Sequence, residues 1–258
     1  MALTEADSFL TENHSQESPL HRLDARAKIL GFIGFTVVVV TTPPVPMWPF
    51  AIYAGILFFL IGVSRLSLKK VLRRALVVVP FILVVAIFLP FFHQAGGGGY
   101  SLGGMRVTNE GLLVLWNVGA KALLGVLSMI ILSSTTTFAE MVSGFERLRT
   151  PKIFILIVSF MYRYSFVFAD ELRRMRRAMA ARNYRARWLW NVPTLGYMLS
   201  ALFLRSYSRG ERVYVAMLSR GYEGAVRLVE ERHLSAIDAA FLSALLIAAI
   251  SIRAVSSL

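Results

Sequence analysis

The sequence contains no cysteine among its 258 residues, which excludes disulfide bonds and thiolate metal sites. Its only histidines are His14, His21, His93 and His233, and their spacing matches no metal-binding motif. No Gly-x-x-x-x-Gly-Lys-Ser/Thr loop occurs, so we expect no ATP site within the chain. These absences argue against a metalloenzyme and against an ATPase, and we expect neither a cofactor nor a metal in this chain.

Apolar residues are abundant, and acidic residues are few. Hydrophobic residues make up 56% of the chain, and the mean hydropathy is +0.61, so much of the apolar surface must face lipid. Runs long enough to span a bilayer as helices occur at about 29–45, 47–63, 75–92, 111–133 and 236–255. The sequence therefore predicts an all-α polytopic membrane protein with about five transmembrane helices. The segment TTPPVP (Thr41 to Pro46) ends the first run early, and a re-entrant hairpin is an alternative there.

The basic residues predict the orientation. The chain has 28 Lys and Arg against 15 Asp and Glu. Basic residues flank the first spans: three precede the first run, and five lie between the second and third, at Arg65, Lys69, Lys70, Arg73 and Arg74. The positive-inside rule then places the N-terminus in the cytoplasm. We expect a multi-pass protein of the cell (inner) membrane. The first apolar run starts only near Ile29, and no secretory signal is expected. The loop HQAGGGGYSLGGMRVTNEG carries one arginine, and we expect it to be an outside loop of flexible backbone rather than a phosphate-binding loop.

Most of the arginines lie in a long polar region. The predicted division is residues 1–28 as a cytoplasmic N-terminal segment, 29–134 as four spans, 135–235 as a cytoplasmic region and 236–258 as the last span. Within the third part we expect two long cytoplasmic helices, over about 152–182 and 194–220. The stretch KIFILIVSFMYRYSFVFA could itself span, but Arg163 at mid-depth would cost about 2.5 to 3.5 kcal/mol, and the following arginines would be stranded outside.

Each of these two helices carries an apolar seam at helical spacing. The first seam consists of Met161, Ser165, Phe168, Leu172, Met175 and Met179. The second consists of Leu199, Phe203, Ser206, Gly210, Val213 and Met217. Ser206 and Gly210 lie four residues apart, and small residues at this spacing let another helix approach closely. Ordinary core packing is the alternative explanation.

Both helices end on the same pattern, AMAARNY at Ala178 to Tyr184 and AMLSRGY at Ala216 to Tyr222. An arginine in the last turn complements the helix dipole, and Asn or Gly accepts the left-handed position after a helix. Capping needs only that Asn or Gly, so we expect the repeated Met and Tyr to reflect recognition of the whole tip. A guanidinium at the end of a rigid helix suits a groove that bears carboxylates.

These motifs, with SPLHRLDARAKIL before the first span, resemble the T component of energy-coupling factor transporters, and within it the CbiQ type associated with cobalt uptake. The resemblance implies a scaffold that joins a substrate-binding membrane subunit of the CbiM kind to a pair of ABC ATPases, which bind the ATP. It further implies that the two tips dock into grooves on the ATPases. Carried onto this chain, the docking residues are Ala181, Arg182, Asn183, Ser219, Arg220 and Gly221. Asn183 and Ser219 depart from the plain Ala-Arg-Gly motif of the family.

Other classes of protein fit the sequence less well. A membrane enzyme would need ionisable residues within its spans, and these spans are almost free of them, with Lys121 as an exception. A basic protein that binds membrane lipid or nucleic acid would explain the charge but not two matched tips, and we expect lipid but no nucleic acid as a partner. A self-contained carrier is a further alternative.

We expect Asp24 to cap the first helix, with Arg26 and Lys28 snorkelling to lipid headgroups, although a contact with partner subunits is the alternative.

Overall fold

A computed structural model describes residues 18–43, 47–92, 99–102, 105–148, 150–182, 184, 192–224 and 234–256. Eight helices lie in these ranges, named in chain order: α1 (Ala25–Thr41), α2 (Trp48–Val63), α3 (Leu68–Phe92), α4 (Asn109–Thr135), α5 (Phe138–Arg147), α6 (Lys152–Ala181), α7 (Val192–Leu218) and α8 (Ala236–Ser256). The predicted all-α polytopic fold is confirmed. All five predicted apolar runs are helical, as α1 to α4 and α8, and so are both predicted long helices, as α6 and α7.

A short hairpin lies in the glycine-rich segment that the sequence predicted to be flexible. Strand β1 (Gly99–Leu102) pairs antiparallel with β2 (Met105–Thr108), and Gly99 stands opposite Thr108. The β-branched residues Val107 and Thr108 favour an extended backbone over a fully flexible one. The sequence reading therefore missed a hairpin directly before α4.

The chain divides into two compact units, residues 1–144 with 232–258, and residues 145–231. The first unit contains α1 to α4 and α8, and the division falls inside α5. The second unit contains α6 and α7. It corresponds in outline to the predicted region 135–235, whose cytoplasmic location stays a prediction.

Helix α1 is the central helix of the first unit, and it packs against α4 and α8. Its apolar residues Ile29, Phe32, Phe35 and Val39 are fully buried. The ring of Phe35 meets Tyr53 of α2 edge to face at 5.6 Å, and the Tyr53 hydroxyl donates to the carbonyl of Ala249 on α8 at 3.2 Å. Burial of these aromatic rings joins the three helices α1, α2 and α8 around one core.

Two glycines bring α1 close to α8. A Cβ atom on Gly34 would lie 2.7 Å from Cδ2 of Leu246, and one on Gly31 would lie 3.3 Å from Cδ2 of Leu245. A side chain at either position would have to displace a leucine, so the absence of a Cβ permits this close crossing. The small-residue crossing of the first unit is therefore made by α1 and α8.

A cluster of polar residues is buried where α1 begins. Asp24 is the N-cap, and its Oδ1 accepts from the backbone N–H of Arg26 at 2.9 Å, as predicted. Lys28 does not snorkel to headgroups: it is 0% exposed, and its Nζ donates to the carbonyls of Thr135 at 3.0 Å and His21 at 3.2 Å. The prediction for Lys28 was wrong because the end of α4 supplies acceptors that local sequence does not reveal.

Length and apolar composition qualify three of the described helices to cross a membrane, at Leu113–Thr135 in α4, Lys152–Ala181 as α6, and Ala236–Ser256 as α8. Helix α2 is apolar but shorter. Large apolar side chains on these helices face outward, as expected of surfaces that contact lipid. Helix α6 is long and apolar enough to span despite Arg163, so the location of α6 on one side of the bilayer stays a prediction.

Candidate functional site

The two helix ends that carry the repeated pattern have the same backbone construction. At the end of α6, Arg182 is the C-cap, and the N–H of Tyr184 donates to the carbonyl of Met179 at 3.1 Å. At the end of α7, the N–H of Tyr222 donates to the carbonyl of Met217, also at 3.1 Å. In both cases a tyrosine closes a ring onto the methionine five residues before it.

The end of α7 shows the full motif. The N–H of Gly221 donates to the carbonyl of Leu218 at 3.0 Å inside the Met217–Tyr222 ring, and Gly221 has a φ of +78°. This pair of nested hydrogen bonds is a Schellman motif, with the left-handed residue directly after the C-cap. Glycine fits there because it has no Cβ to oppose a positive φ. Asn183, the corresponding residue after α6, lies outside the described residues.

The Schellman motif also accounts for the repeated methionine and tyrosine. These residues occupy the two positions whose apolar side chains usually meet across such a cap. Met179, Tyr184, Met217 and Tyr222 are half-buried, whereas the residues between them that the structure describes are exposed. The cap therefore gives the methionine and the tyrosine a structural role, and recognition of the whole tip by a partner stays a prediction.

What the cap leaves unexplained is the arginine. Arg182 and Arg220 are the C-cap residues of the two tips, both are exposed, and neither has an ion pair within the part of the chain that the structure describes. Arg173, which pairs with Asp170 at 2.5 Å, shows that arginines elsewhere on α6 find acidic partners. Two charged forks are thus presented at equivalent positions on rigid ends.

The remaining predicted tip residues are small. Ala181 and Ser219 precede the arginines and are exposed, and the Ser219 hydroxyl donates to the carbonyl of Val215 at 3.0 Å. Its proton is therefore occupied within the helix. Each tip consequently offers one arginine on a small, regular surface that a groove could enclose.

Ser206 and Gly210 are the predicted crossing residues. The structure places no other helix against Gly210 within the described residues. A Cβ atom on Gly210 would meet nothing within 4 Å in the described structure, and Gly210 is exposed. Ser206 is half-buried, and its hydroxyl donates to the carbonyl of Leu202 at 2.7 Å. A close approach at this pair would have to come from a helix of another protein, and that stays a prediction.

The predicted seams hold over part of their length. In α6, the seam residues Phe168, Leu172, Met175 and Met179 are half-buried, but Met161 and Ser165 are exposed. In α7, Val213 and Met217 are half-buried, but Leu199 and Phe203 are exposed. The periodicity is that of an amphipathic helix pair, and each seam continues onto surface that the described residues leave uncovered.

Metal-binding residues do not gather in the described ranges, where no group of three His, Asp or Glu side chains could hold an ion. His21 is the one histidine that these ranges include. Burial, with the nearby charge of Lys28, lowers the pKa of His21, and its Nδ1 lies 2.7 Å from the Ser18 hydroxyl. This histidine belongs to the buried polar cluster at the start of α1.

Comparison with known proteins identifies the family. The family model CbiQ, described as cobalt transport protein, matches residues 16–231. The chain belongs to the CbiQ family. The CbiQ family consists of membrane components of transporters, and membership agrees with the helical membrane fold described above.

Relatives of this CbiQ-family chain include proteins with further parts. A fused cobalt transport protein CbiMQ of Methanocorpusculum labreanum is 27% identical, over 90% of this chain and 40% of its own length. An energy-coupling factor transporter transmembrane protein EcfT of Streptococcus thermophilus is 26% identical, over 84% of this chain and 86% of its own. An ABC transporter ATP-binding protein of Bifidobacterium longum is 24% identical, over 95% of this chain and 33% of its own. The chain thus spans about two fifths of the fused CbiMQ and a third of the ATP-binding protein.

Proposed function

We propose that this chain is the non-catalytic coupling subunit of an energy-coupling factor importer. In this proposal it joins a pair of ABC ATPases to a substrate-binding membrane subunit of the CbiM kind. The transported substrate would be a transition metal ion, cobalt, which the subtype of the family favours. ATP would be bound and hydrolysed by the partner ATPases.

The observation that carries the proposal is the matched pair of tips. Two long helices in one unit end with the same hydrogen bond from a tyrosine N–H to a methionine carbonyl, and both expose an arginine at the same position, Arg182 and Arg220. Because the cap gives the methionine and the tyrosine a structural role, we assign recognition mainly to the arginine. Two equal ATPases offer two equal grooves, and an arginine fork binds a carboxylate through two parallel hydrogen bonds.

The relatives support the same assembly from another direction. In one relative the matched region is part of a chain named CbiMQ, and in another it is a third of a chain named as an ATP-binding protein. Proteins that work together are often joined in one chain. Each of the two partners proposed here thus has a counterpart in a relative that also contains the region matched by this chain. Movement of the ATPases would then pass through α6 and α7 as rigid elements.

The test replaces the two arginines. Arg182→Ala or Arg220→Ala alone should weaken docking, and the double change should remove the ATPases from the complex and abolish cobalt uptake. Truncating one partner of a buried charge pair costs about 2 to 5 kcal/mol. A single loss leaves the second tip as a tether, so the double variant should lose far more than either single one.

The measurement is retention of the ATPases after co-expression and purification in mild detergent, together with uptake by cells. The matched control is Arg174→Ala with Arg177→Ala, which removes the same charge from exposed positions on α6 before the tip. Full retention and uptake in the double tip variant would refute the docking role. Uptake by the purified chain without ATPases would favour a self-contained carrier instead.

A further inference from the structure

A cleft of about 360 Å³ lies between α6 and α7 in the second unit. Its charged wall is formed by Arg205, Arg209 and Arg212 of α7. Their spacing of four and three residues places the three guanidiniums on one face of the helix. None of these arginines belongs to the tips described above.

One of the three arginines is already paired. Nη1 of Arg205 donates to Oε1 of Glu171 on α6, which links the two helices across the cleft. Arg209 and Arg212 are exposed, and the described residues give neither of them an ion pair. Three guanidiniums therefore face one carboxylate, and the cleft keeps an excess of positive charge.

The rest of the lining determines how an anion could be held. Ser206 and Ser208 donate their hydroxyl protons to the helix carbonyls of Leu202 and Leu204, at 2.7 and 3.0 Å. The serines therefore have no proton left for an anion, and the guanidiniums must hold it. The apolar lining comes from Val167 and Phe168 of α6 and from Leu202 of α7.

We propose that this cleft binds the phosphodiester headgroup of an anionic phospholipid, with Arg209 and Arg212 on the phosphate and the glycerol and acyl carbons against the apolar wall. An arginine fork matches phosphate oxygens through paired hydrogen bonds. Basic pockets between transmembrane helices on the cytoplasmic side are known to hold lipid headgroups, and we extend this to the basic cleft between α6 and α7.

The apolar surroundings favour lipid over free phosphate. Free phosphate would use the guanidiniums but would gain nothing from Val167, Phe168 and Leu202. Phe203, next to the cleft on α7, is 68% exposed, and Leu204 is 64% exposed. Such side chains on a basic amphipathic helix are typical of a surface that contacts the bilayer interface.

The experiment measures lipid binding to the full chain in mild detergent by native mass spectrometry. Phosphatidylglycerol is titrated against phosphatidylcholine, which has the same phosphate but a compensating cation. We expect the wild-type chain to prefer phosphatidylglycerol. Arg209→Gln with Arg212→Gln should weaken phosphatidylglycerol binding roughly 30-fold, because each arginine near an anionic lipid contributes about one factor of five.

The matched control is Arg174→Gln with Arg177→Gln, which removes two exposed arginines at the same spacing from α6 outside the cleft. The control should bind phosphatidylglycerol as the wild type does. Equal losses in the two double variants would mean diffuse attraction and would overturn the site. So would an equal affinity of the wild type for the two lipids.

A second variant tests the cleft by a gain of binding. Glu171→Gln removes the carboxylate and releases Arg205, so phosphatidylglycerol should bind about five times more tightly. A role of Glu171 limited to holding the two helices together would give no gain, and that result would count against the proposal. Displacement of the lipid by millimolar inorganic phosphate would mean that the ligand is free phosphate, and this too would overturn it.

Discussion

At the scale of single residues, Lys28 is a fully buried cation of the first unit. Its ammonium group donates to the carbonyl of Thr135, the last residue of α4, where an orphan helix carbonyl needs a donor. A cation at that end also complements the helix dipole. Nearby, Asp238 accepts from the backbone N–H groups of Asp24 and Ser235, at 2.9 Å each, and so joins the starts of α1 and α8. The cluster fixes three helix ends at one place.

Lys28→Met should destabilise the first unit by about 2 to 4 kcal/mol, because it leaves two buried carbonyls without a charged donor while keeping the volume of the side chain. The free energy of unfolding in mild detergent measures this effect. Lys69→Met, at an exposed position on α3, is the control and should change little. Equal stability of the two variants would show that the buried ammonium is not needed by the fold.

At the scale of helices, the two units pack in different ways. Helices α1 and α8 approach closely because Gly31 and Gly34 have no side chain, and the leucines of α8 fill the space. Helices α6 and α7 are amphipathic and are joined by the Arg205–Glu171 pair, with exposed apolar seams on either side. The first unit has a buried core around α1, and both units present apolar surface that partners or lipid would cover.

Gly34→Leu should destabilise the chain by about 1 to 3 kcal/mol, because the added side chain overlaps Leu246 and forces α1 and α8 apart. Thermal unfolding in mild detergent measures the change. Gly210→Leu is the matched substitution on α7, where the added carbons meet nothing, and it should leave the stability of the chain unchanged or slightly higher.

Measurements of uptake test whether Gly210 also contacts a helix of a partner. If a helix of a partner crosses α7 there, Gly210→Leu should lower uptake at equal expression even though the chain remains stable. Unchanged uptake would rule out that crossing. A loss of stability in Gly210→Leu would show instead that an intramolecular contact exists at this position.

At the scale of the whole molecule, the question is which side of the membrane each unit faces. The excess of arginine in residues 145–231 favours the cytoplasm. Helix α6 has the length and composition of a span, however, and a crossing there would move α7 to the outside. The orientation decides whether the two tips can reach cytoplasmic ATPases at all.

The absence of cysteine makes this orientation measurable with single substitutions. Ser200→Cys on α7 and Ser67→Cys before α3 should react with a membrane-impermeant maleimide only in inside-out vesicles, whereas Ser101→Cys in β1 should react in intact cells. Ser67 and Ser200 are exposed, so the reagent can reach them. Labelling of Ser200→Cys in intact cells, with Ser67→Cys protected, would mean that α6 crosses the membrane and that the proposed docking is wrong.

The sequence by itself determined those features that depend on neighbouring residues. Apolar runs and their length predicted the helices, because helix formation and membrane insertion respond to the local composition. Asp24 was identified as an N-cap and Gly221 as a left-handed residue, since both roles involve atoms only a few residues away. The exposed arginines of the tips could be named for the same reason.

Tertiary structure decided what depends on residues far apart in the chain. Lys28 has the pattern of a snorkelling residue, but the carbonyl of Thr135, 107 positions later, draws it into the core. Gly31 and Gly34 permit a crossing that no spacing in α1 alone reveals, because the leucines that define it lie on α8. The cleft of Arg205, Arg209 and Arg212 likewise exists only because α6 supplies Glu171 and an apolar wall opposite them. Burial and charge pairing depend on which helices pack together. The spacing of apolar residues along one helix does not say which helix packs against it.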